Sequence, residues 1–559
     1  MAPADHLVAL TLADSAPEIA RLGAAIGAAM SHLRTAGFVG VDLASLQAAL
    51  ARMGLLDHTL AADDLRALSD HRIIGGKDSP GTPVVLDGGR YYFRKSWRQE
   101  IELAEQLQAR ATERPARGAE VQEGKLTLNR DQYDAVSRAL TGQITIISGG
   151  PGTGKTTIVG RLLRSWLAAG LGNPDDVAMA APTGKAAARL SAALSNAAAE
   201  SAESNWKAQT LHRLLGWSRD RASFRYHNER PLPYRLVIVD EVSMVDLDTM
   251  HALVSALRTE ATLVLLGDKD QLSSVQPGNV MGEICAAAEK PGSVLAECLV
   301  ELTQSHRFGQ DSGIGSLADA IRRGDPDAVL DLLRQDVSDR AWCREVPAAL
   351  ELPTPYIEGF RNADPGAALA GAQGFKVLCA HRHGPAGVST LNRRVAEALR
   401  LRGLLGRAGA DSHYHNELFV VSGNHYAAGL FNGDQGIIRR ENDQLMGYVE
   451  TSDGGVRAIS PARLPAMELA FAMTIHRSQG SEFDEVLVVL PDADSPLLSR
   501  ELLYTAVTRA RRRVTLWGAE SALIKAVTSP AQRGAGLADR LAPAGSPAWS
   551  GDPVQGDLF

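Results

Sequence analysis

Ile144-Thr-Ile-Ile147-Ser-Gly149-Gly150-Pro151-Gly152-Thr153-Gly154-Lys155-Thr156-Thr157 is an apolar strand that runs into a glycine-rich loop. Ile158–Leu167 then continues with helical spacing. The loop fits the pattern GxxxxGK[ST], in which glycines let backbone N–H groups approach phosphate oxygens. Lys155 would neutralise the β- and γ-phosphates, and the Thr156 hydroxyl would ligate magnesium. A second apolar run, Leu236-Val-Ile-Val239, leads straight into Asp240-Glu241. An acidic pair at the C-terminal end of a parallel strand lies at the rim where such sheets bind ligands. Asp240 is placed there to hold magnesium and Glu241 to activate an attacking water.

Working outward, the chain from about Thr127 to Leu302 repeats strand, loop and helix, the pattern of a parallel α/β sheet. Strands recur at Thr262–Leu266, Lys376–Cys379, Ala470–Thr474, Glu485–Leu490 and Arg513–Trp517. Residues 1–110 are Ala/Leu-rich with helical spacing over Ile19–Leu33 and Leu43–Met53, and β-like runs at Val84–Leu86 and Tyr91–Phe93. Arg110–Gly124 is charged and aperiodic, which predicts a linker. Short β-like runs such as Leu418–Val421 and Gly436–Ile438 mark residues 405–465 as an insertion. The stretch 541–559 is Pro/Gly/Ser-rich and reads as a flexible tail.

The 559 residues are 45% hydrophobic, 5% aromatic and 22% charged, which excludes collagen-like, low-complexity and wholly disordered classes. At about 150 residues per domain, the length suggests three to four domains. No apolar run reaches the ~18 residues of a membrane span, and no secretory signal opens the chain. Cys285, Cys298, Cys343 and Cys379 are too scattered for a zinc or disulfide framework, consistent with a cytosolic chain with reduced thiols. The 58 basic and 65 acidic residues leave a net charge of -7. Any nucleic-acid contact must therefore come from a local patch.

A phosphate loop alone allows a transporter ATPase, a GTPase, a small-molecule kinase or a motor. Further motifs separate these: Thr127-Leu-Asn-Arg-Asp-Gln132, Ala181-Pro-Thr183-Gly-Lys-Ala-Ala-Ala-Arg189, Thr210-Leu-His212 and Gly267-Asp268-Lys-Asp-Gln271 precede Leu302-Thr-Gln-Ser-His-Arg307. Thr474-Ile-His476-Arg-Ser478-Gln479-Gly480-Ser-Glu482 and Thr508-Arg509 follow. In order and spacing, residues 126–512 resemble superfamily 1 helicases, and the wording resembles the RecD family of 5′-to-3′ movers.

The resemblance implies an α/β fold of two RecA-like P-loop cores with a helical N-terminal domain and a small β-barrel insertion. The first core would span 126–302 with a hairpin near 217–234, often the strand-separating pin. The second would span 303–404 and 466–540 around the barrel at 405–465. ATP and Mg2+ are the implied cofactors. Gln132 would read adenine, Gln271 would sense the γ-phosphate, and Arg307 and Arg509 would reach from the second core as cationic fingers. Gly480 and Glu482 would touch the nucleotide's sugar and phosphates, beside Gly149, Gly150, Pro151, Gly152, Thr153, Gly154, Lys155, Thr156 and Thr157 of the loop. Thr183, Thr210, His212, Thr474, His476 and Ser478 match positions that contact the DNA backbone.

In the RecBCD (exonuclease V) complex, the N-terminal domain of a RecD subunit docks on RecC, and standalone RecD-like helicases carry a longer extension before the motor. The roughly 110 residues here resemble the former, implying RecC- and RecB-type partners, in the bacterial cytoplasm. The alternatives are a standalone helicase in repair or conjugation, or a nucleotide-gated subunit that does not unwind by itself. An RNA track is disfavoured rather than excluded. Gln555-Gly-Asp557-Leu558-Phe559 resembles the short peptide that binds the bacterial sliding clamp.

Overall fold

A computed structural model describes residues 17–56, 58–113, 118–124, 127–198, 206–218, 220–309, 312–335, 337–345, 350–406, 413–423, 425, 428–430, 433–442, 444–451, 455–531 and 533–543. The peptide Gln555–Phe559 lies outside them. In the first core, six parallel strands are ordered Leu299–Leu302, Ile144–Gly149, Thr262–Gly267, Leu236–Val239, Val177–Ala181 and Gln209–Thr210. Ile144–Gly149, Thr262–Gly267, Leu236–Val239 and Val177–Ala181 are buried throughout, as helices on both faces of a parallel sheet require. This order sets the carboxyl ends of Ile144–Gly149, Thr262–Gly267 and Leu236–Val239 side by side. Gly149, Asp268 and Asp240 therefore share one rim.

A second parallel sheet is ordered Arg340–Cys343, Ala510–Trp517, Phe483–Val489, Phe375–Cys379 and Ala472–Thr474. Between its strands the chain leaves to form five antiparallel strands: Val456–Ile459, Gln444–Glu450, Gln435–Glu441, Leu418–Val421 and Met467–Leu469 in spatial order. Met467–Leu469 pairs with Leu418–Val421, so the insertion reaches past the expected boundary at residue 465. The hairpin near 217–234 is two tight excursions, closed by the Ser218–Ser223 and His227–Arg230 bridges.

The N-terminal region is less helical than its composition suggests. Gly40–Val41, Arg90–Phe93, Val84–Asp87 and Ile74–Gly75 form a four-stranded sheet, packed with Leu22, Ile26, Met30, Leu46 and Leu68. Its last helix, Arg94–Thr112, contributes Leu103, Ala104 and Leu107 to the first core's apolar cluster. Arg110 is accordingly no linker residue. Its guanidinium is buried and donates to Ala261 O at 2.8 Å and Arg258 O at 2.9 Å.

The expected end of the second core at residue 540 is also corrected. From Arg533 the chain crosses to the N-terminal sheet, where Gly534 O accepts from Val39 N and Gly40 N. The short helix Leu537–Arg540 then lies on the first core, with Leu537 and Leu541 in its apolar cluster. Arg540 binds buried Glu100 at 2.9 Å and Asp87 at 2.8 Å, and Asp539 binds Arg90 at 2.8 Å. No helix among the described residues is long and apolar enough to cross a membrane. Arg540→Ala strands Glu100 without its counter-ion, so it should cost about 3 kcal/mol. A lowered denaturant midpoint, with N-terminal amides exchanging faster, is the expected readout.

Candidate nucleotide and nucleic-acid site

The phosphate loop takes its shape from two left-handed glycines, Gly152 at φ 78° and Gly154 at φ 85°. Gly154 begins the helix Lys155–Ala168, aiming free N–H groups into the concavity of the loop. The Lys155 ammonium donates to the carbonyls of Gly149 and Gly150 within that loop. Thr156 and Thr157 occupy the helix's first turn, and Thr153 Oγ1 donates to Gly150 O at 2.9 Å. Gln132 is held by a capping box: its amide N–H donates to Asn129 Oδ1 and its Oε1 accepts from Asn129 N. That leaves Gln132 Nε2 against Thr153 O at 3.0 Å and His306 at 3.3 Å.

The carboxylates gather on the neighbouring strand ends. Burial and the Glu241 carboxylate push the Asp240 carboxyl up to about 6, against the pull of Lys155. Glu241 has φ 54° and ψ 41°, a left-handed conformation that is strained for a residue with a Cβ and concentrates at functional sites. Asp268, directly after Thr262–Gly267, is buried and its carboxyl is raised by burial. It accepts from Gln271 Nε2 at 2.9 Å and Tyr504 OH at 3.2 Å.

Two arginines come to this rim by different routes. Arg509 arrives from the second core, buried, and donates to Gln271 Oε1 at 2.8 Å across the cleft. Arg307 does not reach over from the second sheet as expected. It sits in the connector after Leu302, which lies on the loop itself: His306 N donates to Gly152 O and Ser305 Oγ to Pro151 O. Arg307 Nη2 binds Glu482, whereas its buried Nη1 has no partner among the described residues. An unsatisfied guanidinium N–H beside a phosphate loop fits a nucleotide's terminal phosphate. Glu482 also receives Arg189 and Arg511. Burial would raise its carboxyl, but Arg189 and Arg307 outweigh it and bring it down to about 2. Gly480, at φ 70°, brings the second core's backbone against Ala186.

The residues expected on the DNA backbone divide. Thr183, Thr210 and Thr474 stand at carboxyl ends of strands, each hydroxyl oxygen accepting a backbone N–H three residues on. Among the described residues none of these hydroxyls donates a hydrogen bond, and each has one hydrogen to give. His212 packs its ring on Trp217 and Phe224, and Trp217 is exposed. Burial and then Arg533 push the His476 imidazole down to about 4, so it is neutral at pH 7. Ser478 is the correction: it is fully buried and donates to Ile475 O at 2.7 Å, shaping the turn rather than facing a groove.

The sequence reading does not single out Asp268, Tyr504 and His306 as site residues. Asp268 carried the same signal as Asp240, an acid closing an apolar strand. Tyr504 and His306 carried none, because their role depends on where a distant segment is laid. A Cβ at residue 152 would run into Arg307, and the positive φ adds strain. Gly152→Ala should weaken binding of a fluorescent nucleotide by about tenfold or more with the far-UV spectrum unchanged.

Comparison with known proteins places the chain in a family. Residues 127–339 match the AAA domain family and 469–517 the UvrD-like helicase C-terminal domain family. The RecBCD enzyme subunit RecD of Mycolicibacterium smegmatis is 38% identical over 97% of this chain and 98% of its own length. RecBCD enzyme subunit RecD of Mycobacterium tuberculosis is also 38% identical, over 93% of this chain and 91% of its own. The ATP-dependent RecD2 DNA helicase of Deinococcus radiodurans is 31% identical over 81% of this chain, which spans only 59% of that protein. The alignment with the first two runs almost end to end, so this chain belongs to the RecD family.

Proposed function

We propose that the protein is an ATP-dependent DNA helicase moving 5′ to 3′, the motor subunit of a RecBCD-type exonuclease V complex in double-strand break repair. The observation that carries this reading is the cleft itself. Gln271, on the rim beside the loop that holds Lys155, accepts directly from Arg509 of the other core. The end-to-end likeness to RecD subunits, against partial coverage of the RecD2 helicase, supports the complex-subunit reading over the standalone one. RecC- and RecB-type partners, docked in part through the N-terminal region, and a cytoplasmic site of action belong to the same proposal. A sliding-clamp partner has no support beyond the peptide's wording.

The residues divide the work. Gln132 holds the adenine, while the loop's N–H groups and Lys155 take the phosphates. Thr156 and Asp240 would hold Mg2+, which would supply charge neutralisation on the phosphate oxygens. Glu241 removes a proton from the attacking water, oriented at the γ-phosphate. Arg307 and Arg509 stabilise the charge that develops there. Because the two cores contribute to one phosphate, hydrolysis removes a bridge and lets the cleft open. Hydroxyl donors at Thr183 and Thr210 on one core and Thr474 on the other then grip the DNA backbone alternately, without reading sequence.

Strand displacement on duplexes with a 5′ or a 3′ single-stranded tail tests this, beside Lys155→Ala. Unwinding from the 5′ tail alone, abolished in the variant, is expected for an autonomous motor. DNA-stimulated hydrolysis without unwinding would assign the unwinding to the assembled complex. Absence of DNA-stimulated hydrolysis would overturn the reading. A pH prediction follows from Asp240, which must be ionised to hold the metal. Its carboxyl takes up a proton at about 6, so kcat/KM for Mg-ATP should fall roughly tenfold per pH unit below that value. Titration at saturating Mg2+ should move the limb to lower pH.

A further inference from the structure

Glu482 sits at the edge of the nucleotide site in a cluster that also joins the two cores. Its side chain is only 8% exposed, and three guanidiniums converge on it. Arg307 Nη2 and Arg189 Nη2 both donate to Oε1. Arg511 supplies Nε at 3.2 Å and Nη2 at 3.1 Å to Oε2. Glu482 is the carboxylate that bonds all three guanidiniums, and Glu241 and Asp240 add their negative charge to Arg189 from the phosphate-loop side. Arg189 belongs to the first core, on the helix Gly184–Ala198, whereas Glu482 belongs to the second. The same helix approaches the second core at Ala186, whose Cβ lies within van der Waals reach of any side chain placed on Gly480.

We infer that Arg189 and Glu482 form a latch across the cleft, a positioning pair that biases the nucleotide-free cores toward closure and keeps Arg307 beside the loop. An ion pair on the surface of one rigid body contributes little to stability. This one joins two bodies, so its effect falls on the equilibrium between open and closed cleft. Arg307 shares its carboxylate oxygen with Arg189. When a phosphate draws Arg307 away, Arg189 remains to satisfy Glu482, and the cleft stays shut while the finger changes partner. Arg189 is 48% exposed, so salt reaches the latch from one side. The inference rests on the cleft being the nucleotide site.

The test compares Arg189→Ala and Arg189→Lys with the wild-type protein by ATPase kinetics and by small-angle X-ray scattering without nucleotide. Arg189→Ala should raise the KM for ATP about fivefold with kcat within about twofold, because closure must then be driven by the nucleotide. Its radius of gyration should exceed the wild type's, and Arg189→Lys should restore most of both. Added salt should raise the wild-type KM and leave that of Arg189→Ala flat. Unchanged KM and scattering in Arg189→Ala, or a fall in kcat alone that Arg189→Lys does not restore, would overturn the latch. A wild-type protein without DNA-stimulated hydrolysis would overturn the functional reading instead, and the scattering comparison would still decide the latch.

Discussion

Arg509 is a full positive charge buried between two domains, and the rest of the cleft is arranged around it. Its guanidinium donates to Gln271 Oε1, Ser481 O and Thr505 O, while the carboxylates of Glu241, Glu482 and Asp268 face it. A buried charge without such partners would cost several kcal/mol. The next residue after Gln271 reinforces the join. Leu272 inserts into the second core's apolar cluster, its N–H donating to Thr505 Oγ1 at 2.7 Å and its carbonyl accepting from Gln479. The first core thus sends an apolar knob into the second, and the second returns a cation.

This makes one side of the cleft dry and the other wet. At Leu272 and Arg509 separation would expose apolar surface and orphan hydrogen bonds. At Arg189 and Glu482 separation exchanges one partly hydrated ion pair for water.

The parts of the site that could be read directly are those confined to single segments. The phosphate loop, the acid pair after Leu236–Val239 and the capping box that presents Gln132 are each local, with strand, turn and cap encoded within a few residues. Other expectations shifted for tertiary reasons. Arg307 lies on the loop because Thr303 is tied to Asp131 and His306 to Gly152. Ser478 turns inward because its hydroxyl completes its own turn. Arg110 sits at the end of a long amphipathic helix whose apolar face meets the first core.

By itself the sequence determined the chemistry and the order of the pieces: a phosphate loop, strand-end acids and two parallel sheets, because these depend on short-range backbone geometry and on hydrophobic period. Only the tertiary structure decided which charges share a partner. Arg189, Arg307 and Arg511 are 118 and 204 residues apart in turn, yet they meet on one carboxylate. The strap from Arg533 to Leu541 likewise joins the N-terminal sheet to both cores. Such pairings are set by how packed bodies come to rest against one another, and no local pattern of residues encodes that.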